Sequence, residues 1–175
     1  MKKTFFNLSI LLCLSLVFVL KTLTVSAAKE TGPYPSRRGV ILVTSDKYKN
    51  LIPTGHAAIV WDKNNVIESV SKGDVLGKNN WKATKSRIYG VTVKSTNTGQ
   101  DRKAALWCKK QIHKKYNFNY YNVATRKRFY CSQLVWASYK DNFQIDLNTT
   151  SYGKAVHPME LVNSNKTVIL YTYSR

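Results

Sequence analysis

Acidic residues are scarce in this chain of 175: nine Asp and Glu stand against 28 Lys and Arg, a formal net charge of +19. So basic a chain suits polyanions, such as wall teichoic acids, anionic lipid head groups or nucleic acid, and charge alone does not choose among them. The basic residues are spread along the sequence and no RNA-binding or helix-turn-helix signature accompanies them, which disfavours nucleic acid as the main partner. Cysteine is equally rare. Cys13, Cys108 and Cys131 are too few for a disulfide scaffold, although one bridge between Cys108 and Cys131 stays open. His56, His157, Cys108 and Cys131 show no close ligand pair, so a zinc site is disfavoured and no cofactor is expected. Internal repeats and low-complexity tracts are absent too.

Only one long apolar run exists, residues 5–20, and it follows Met1-Lys2-Lys3. Charged start, apolar middle and small residues at Val25 and Ala27 predict a signal peptide over residues 1–27, cleaved after Ala27. A membrane anchor is the alternative, but the run is short for a span and Asn7, Ser9 and Ser15 interrupt it. Cys13 lies in the middle of the run and is no lipidation site. Cleavage would remove Lys2, Lys3 and Lys21 and no acid, leaving 25 basic residues against 9 acidic, or +16. The expectation is a protein secreted or held at the cell wall. Residues 28–37 carry turn formers without periodicity and read as a flexible leader. Residues 38–175 then make one domain.

Residues 39–44 are a compact β-branched run that predicts a buried strand. Residues 55–61 predict a second, opening on Gly55 and His56, and residues 66–71 its returning partner across an Asp/Asn turn. Turn length decides which side chains share a face, because a slip of one residue flips them all. An odd loop, such as Asp62-Lys63-Asn64, is expected. It places His56, Ala58 and Val60 with Val66, Glu68 and Val70, and makes His56 and Glu68 diagonal neighbours ~7–8 Å apart at the backbone.

Residues 72–86, with Gly73, Gly77 and an isolated Trp81, read as irregular, and residues 87–93 as a strand. Thr98 can cap a helix reaching about Tyr116, with Asp101 favouring its N-terminus and Ala104, Ala105, Cys108 and Ile112 facing inward. His113 falls on its wet, basic face. Residues 116–122 form an aromatic loop. Residues 156–161 predict a short helix with Pro158 at its first position, in which His157 is a loop or cap residue. Residues 167–173 predict a closing strand.

The most informative stretch is 129–139. Cys131, Leu134, Val135 and Ser138 follow the spacing of one helical face. Cys131 then sits in the first turn, where free N–H groups and the helix dipole favour a thiolate, and Arg126, Lys127 and Arg128 just upstream push the same way. A thiolate is the nucleophilic form of cysteine. By position alone Cys131 also reads as a small buried hydrophobe or half of a disulfide.

The order Gly55-His56-Ala57-Ala58-Ile59-Val60, then Glu68, then Tyr130-Cys131-Ser132-Gln133-Leu134-Val135 resembles the permuted branch of the NlpC-type, papain-like cysteine hydrolases, in particular the YiiX-like group. Lecithin:retinol acyltransferase is of the same permuted class. The resemblance runs from about residue 38 to 173. It implies an α+β, circularly permuted papain-like fold, with an antiparallel sheet packed against helices and the nucleophile at a helix N-terminus. It further implies Cys131 as nucleophile, His56 as base, Glu68 as the group orienting the base and the Cys131 N–H as an oxyanion donor. Residues 116–120 stand where relatives have a Gly-x-Pro-Tyr-Asp-type segment. The sequence departs from relatives at Arg38-Gly39-Val40, where a Gly-Asp pair is common, and at Gln133, where Glu is usual.

Three functions follow as expectations. The leading one is a secreted cysteine hydrolase cutting an amide bond in cell-wall peptide, with anionic wall polymer or peptidoglycan peptide as partner and Tyr120, Tyr121 and Tyr130 contacting substrate. The second keeps the site but turns it on a lipid ester or amide, with the aromatic loop lining an apolar pocket and anionic lipid as partner. The third is a non-catalytic cationic binding protein.

Overall fold

The computed structural model of the protein describes residues 27–47 and 55–175, so all of the expected signal peptide but Ala27, Cys13 included, lies outside the described residues. In chain order the elements are β1 (Lys29–Thr31), β2 (Ile41–Thr44), β3 (His56–Val60), β4 (Asn65–Val70), β5 (Gly73–Lys78), α1 (Trp81–Thr84), β6 (Arg87–Val93), α2 (Thr98–Lys109), β7 (Lys115–Tyr116), β8 (Arg128–Phe129), α3 (Cys131–Phe143), α4 (Glu160–Asn163) and β9 (Thr167–Ser174).

Strands β2 and β3 are apolar on both faces, so they need cover on both sides and take the middle of a sheet. The sheet has seven strands in the order β1-β9-β6-β2-β3-β4-β5, every neighbouring pair antiparallel. Ile41, Val43, Ala57, Ile59 and Ile67 face α2 and α3 in the larger core. Leu42, Ala58, Val60, Val66 and Ile88 face the other way, under Trp81, Tyr171 and Tyr173. A short parallel pair, β7 with β8, leads into α3.

Helix α3 is buried without interruption from Cys131 to Tyr139, not along one stripe only. It lies against β3, β4 and α2, and Leu147, Val156, Leu161 and Val162 cover it from the C-terminal segment. A helix enclosed in this way must be apolar or internally satisfied all round. Ser132 meets that demand by donating to the Val156 carbonyl at 2.6 Å, and Ser138 by donating to that of Val135 at 2.7 Å.

Helix α2 is capped by Asn97, one residue before the expected Thr98, with Gln100 completing a reciprocal capping box. It ends at Lys109, not near Tyr116. His113, exposed as expected, takes a left-handed φ of 78° and donates its N–H to the Asp74 carbonyl, while the Lys114 carbonyl accepts from the Asp74 N–H. Pairing with β5 thus outcompetes two further helical turns. Asp101 serves more than the helix N-terminus. It is 1% exposed and accepts from Arg37 (2.7 Å), Thr92 (3.0 Å), Thr96 (2.6 Å) and Tyr139 (3.4 Å).

Residues 28–37 are strapped to the domain, in contrast to the expected flexible leader. β1 pairs with β9, Tyr34 donates to Asn79 and packs edge-on to Tyr171, and Arg37 reaches Asp101. Residues 72–86 are likewise ordered, as the edge strand β5 and the single turn α1. Pro158 sits in the turn before α4, which starts at Glu160; there the buried Glu160 carboxylate accepts from the N–H groups of His157 and Thr149.

Candidate active site

Tyr130 has extended backbone and ends the approach to α3, so Cys131 is the first residue of that helix. The Gln133 side chain reaches back to accept the Tyr130 N–H at 3.3 Å, which fixes this first turn. His56 opens β3 and Glu68 lies in β4. Their register, Ala58 opposite Glu68 and Val60 opposite Val66, encloses the odd loop Asp62-Lys63-Asn64, closed by the Trp61 N–H donating to the Asn65 carbonyl at 3.0 Å. By alternation His56 and Glu68 therefore share the Ala58 face, the one turned away from α3. The sequence alone does not say which face of the hairpin α3 takes. Helix α3 packs on the opposite face, and Cys131 meets His56 where β3 begins.

The Nε2 atom of His56 lies 2.6 Å from Glu68 Oε2, a short charge-assisted hydrogen bond. On its other side the imidazole interacts with the Cys131 thiol, which lines the same cleft. The two sites bias each other. Burial pulls the imidazole down, but the Cys131 thiolate and then Glu68 outweigh it and raise His56 to about 9. Burial alone would raise the Cys131 thiol, yet the His56 charge, its hydrogen bond and the backbone N–H groups of Ala57 and Ser132 bring it below the ordinary thiol value. Each charge thus favours the other: the pair is biased toward an anionic thiol, the nucleophilic form of cysteine, beside a cationic imidazole.

The upstream basic residues contribute differently from the expectation. Arg126 is paired with both Asp141 oxygens, at 2.7 and 2.8 Å, and Arg128 is exposed. The thiolate bias comes from His56 and the backbone. Cys108 is fully buried, donates to the Leu134 carbonyl and is held by burial up at about 12. Both Cys108 and Cys131 are free, so no bridge silences Cys131.

Two clefts flank the thiol, which is 8% exposed. The smaller, about 290 Å³, is lined by Tyr116, Tyr120, Tyr121, Tyr130, Tyr152 and His157 beside Cys131. The larger, about 650 Å³, contains His56 and Glu68 and carries Lys47, Lys72 and Lys85. Tyr116 and Tyr120 stand with Cys131 between them. All three expected substrate tyrosines thus line one wall system. Tyr121 is 72% exposed, while Tyr130 is buried and accepts the Val156 N–H at 2.8 Å, fixing the cleft's far side.

Several site residues were not found by sequence reasoning. The Trp81 ring lies 5.6 Å from that of His56, tilted by 31°, and backs the imidazole. Tyr152 and His157 stack at 4.0 Å and form the smaller cleft's outer wall. No periodicity marks these residues; only an aromatic in an otherwise polar stretch signals either one. Gln133, the departure from the usual Glu, has a clear use here. It is fully buried, accepts from Asn117 at 2.9 Å, and donates to the carbonyls of Asn122, Val123 and Thr125. An ionised carboxylate could not make those three bonds.

A cysteine at a helix N-terminus, with its His and Glu on strands that come earlier in the chain, is the order of a permuted papain-like enzyme. The sequence matches the family described as permuted papain-like amidases of the YaeF/YiiX type, family C92, over residues 40–168. The chain belongs to this family. It is a cysteine hydrolase of the amidase and peptidase type. The fold agrees with the crystal structure titled metalloprotein YiiX from Escherichia coli O157:H7, with a TM-score of 0.59 at 17% identity, covering 77% of this chain and 96% of that one. Among curated proteins no significant match was found. The word metalloprotein belongs to that relative. Among the described residues here, no three His, Cys, Asp or Glu side chains cluster so as to hold a metal ion.

Proposed function

We propose that this amidase works outside the cell or at the cell wall, hydrolysing an amide bond in wall peptide with Cys131 as nucleophile, His56 as acid and base, and Glu68 holding the imidazole. The observation that carries the reading is the His56–Glu68 contact of 2.6 Å beside a thiol whose pKa is lowered. The Cys131 Sγ attacks the scissile carbonyl carbon, and its π electrons move to oxygen. The N–H of Cys131, which has no acceptor within α3, is the proposed donor to that oxyanion. His56 passes its proton to the leaving amine as the C–N bond breaks, leaving a thioester. His56 then takes a proton from water, hydroxide oxygen attacks the thioester, and the acid product leaves as the thiolate re-forms.

An anionic wall peptide or polymer as partner is supported by the net charge of +19 and by Lys47, Lys72 and Lys85 in the larger cleft. Tyr120, Tyr121 and Tyr130 would contact the substrate on the other flank. One observation favours a second reading, hydrolysis or transfer of a lipid ester or amide: the smaller cleft is walled mainly by aromatic rings. The third, non-catalytic reading loses its bridged form, because both cysteines are free. The test is to incubate the protein, and its Cys131→Ala variant, separately with purified peptidoglycan and with phospholipid vesicles. New amino groups from the wall material, absent with the variant, are expected. Fatty acid released from vesicles with no wall product would transfer the assignment to lipid.

A further inference from the structure

The Glu68 side chain lies across the neighbouring edge strand. In the register of β4 with β5, Val66 stands opposite Gly77 and Glu68 opposite Val75, so Gly77 is the diagonal neighbour of Glu68 on the same face. A Cβ built on Gly77 would meet three Glu68 atoms before any others: Oε1 closest, Cδ at 2.8 Å and Cγ at 3.3 Å. Contacts of that kind do not persist in proteins, so the carboxylate would have to move.

Nothing else accounts for the glycine. Its backbone is outside the left-handed region that favours glycine, in contrast to Gly73 on the same strand, whose φ is 113°. It closes no turn, since β5 runs on to Lys78. A strand glycine costs roughly 0.5–1 kcal/mol relative to alanine, and one retained inside a strand commonly marks close approach by another group. The group that approaches here is the carboxylate that holds His56.

We propose that Gly77 is a positioning residue for the hydrolase site. Its missing side chain is the space in which the Glu68 carboxylate lies flat over β5 while Oε2 receives His56 Nε2. Any side chain at 77 lifts Glu68 off the imidazole. The inference rests on the assignment of Glu68 as the orienting group.

The test compares wild type, Gly77→Ala, Glu68→Gln and the double variant. Three readouts apply: thermal unfolding, amide hydrolysis, and the rate of Cys131 carboxymethylation by iodoacetate as a function of pH. Iodoacetate is an anion drawn to the imidazolium, so its high-pH limb reports loss of the His56 proton. Gly77→Ala is expected to keep the unfolding temperature, lower kcat by about 10–100-fold with little change in KM, and move the high-pH limb downward. Added to Glu68→Gln it should do almost nothing further, because the two act through one contact. If Glu68→Gln shows the loss and Gly77→Ala behaves as wild type, the inference is overturned and the site assignment stands. Additive losses in the double variant, or a Gly77→Ala protein that unfolds, overturn it as well, since the glycine would then serve the fold. A wild-type profile for Glu68→Gln itself would remove the assignment on which it rests.

Discussion

Replacing Glu68 with Gln removes one charge and keeps the side chain's length, so it asks what the 2.6 Å contact with His56 contributes. A hydrogen bond to a charged group is worth ~1.5–3 kcal/mol net and a neutral one ~0.5–1.5 kcal/mol. The difference between the midpoints, about 1.25 kcal/mol, corresponds to about one pKa unit. His56 is raised to about 9, with the Cys131 thiolate as the larger raising influence and Glu68 as the smaller. Glu68→Gln should therefore bring His56 down by about one unit, to ~8, without abolishing the ion pair. The assay is the iodoacetate rate at Cys131 from pH 5 to 10, read by peptide mapping, with Cys108 as an internal control. That thiol, buried and held up at about 12, should stay unlabelled in the folded protein. The high-pH limb should fall from near 9 in wild type to near 8 in the variant. Superimposable profiles would refute the claim that Glu68 stabilises the imidazolium.

Further predictions concern the scaffold. Asp74 is 1% exposed, neither carboxyl oxygen is hydrogen-bonded, and burial raises it to about 7 against the opposing pull of Ser69 and Lys114. The folded state thus keeps a proton that the unfolded chain has lost, and stability falls as pH rises from about 4 to about 7, by up to ~4 kcal/mol. Asp74→Asn should flatten that fall, checked by urea midpoints at pH 4.5 and 8. Asp101→Ala takes an acceptor from Arg37, Thr92, Thr96 and Tyr139 and should cost ~3 kcal/mol of unfolding free energy in a urea titration. Gln133→Glu sets a carboxylate against three carbonyls; a loss of ~1–3 kcal/mol and a raised KM are expected, measured by denaturation and steady-state kinetics.

Much of the site was legible because its signals are local. The i, i+3, i+4 spacing around Cys131 marked a helix with the thiol in its first turn, and turn chemistry at Asp62-Lys63-Asn64 set the register that joins His56 to Glu68. What the sequence could not convey depends on contacts between distant segments. The 28–37 strap has no periodicity of its own; Tyr34, Arg37 and pairing with β9 hold it. Strand β5 contains Gly73, Asp74 and Gly77, poor strand formers, and forms because β4 offers a complete register of partners. Helix α2 stops early for a tertiary reason, the claim of β5 on the backbone around His113. The face on which α3 packs was also hidden, because both faces of β3 are apolar and alternation alone cannot choose between them.

The most direct test of the central claim is to quench the enzyme during turnover of an amide substrate and map the covalent adduct. The account predicts the substrate's acyl group as a thioester on Cys131, lost on hydroxylamine treatment and absent, with turnover, from a folded Cys131→Ala protein. Undiminished turnover by Cys131→Ala, or an acyl group on any other residue, would contradict it.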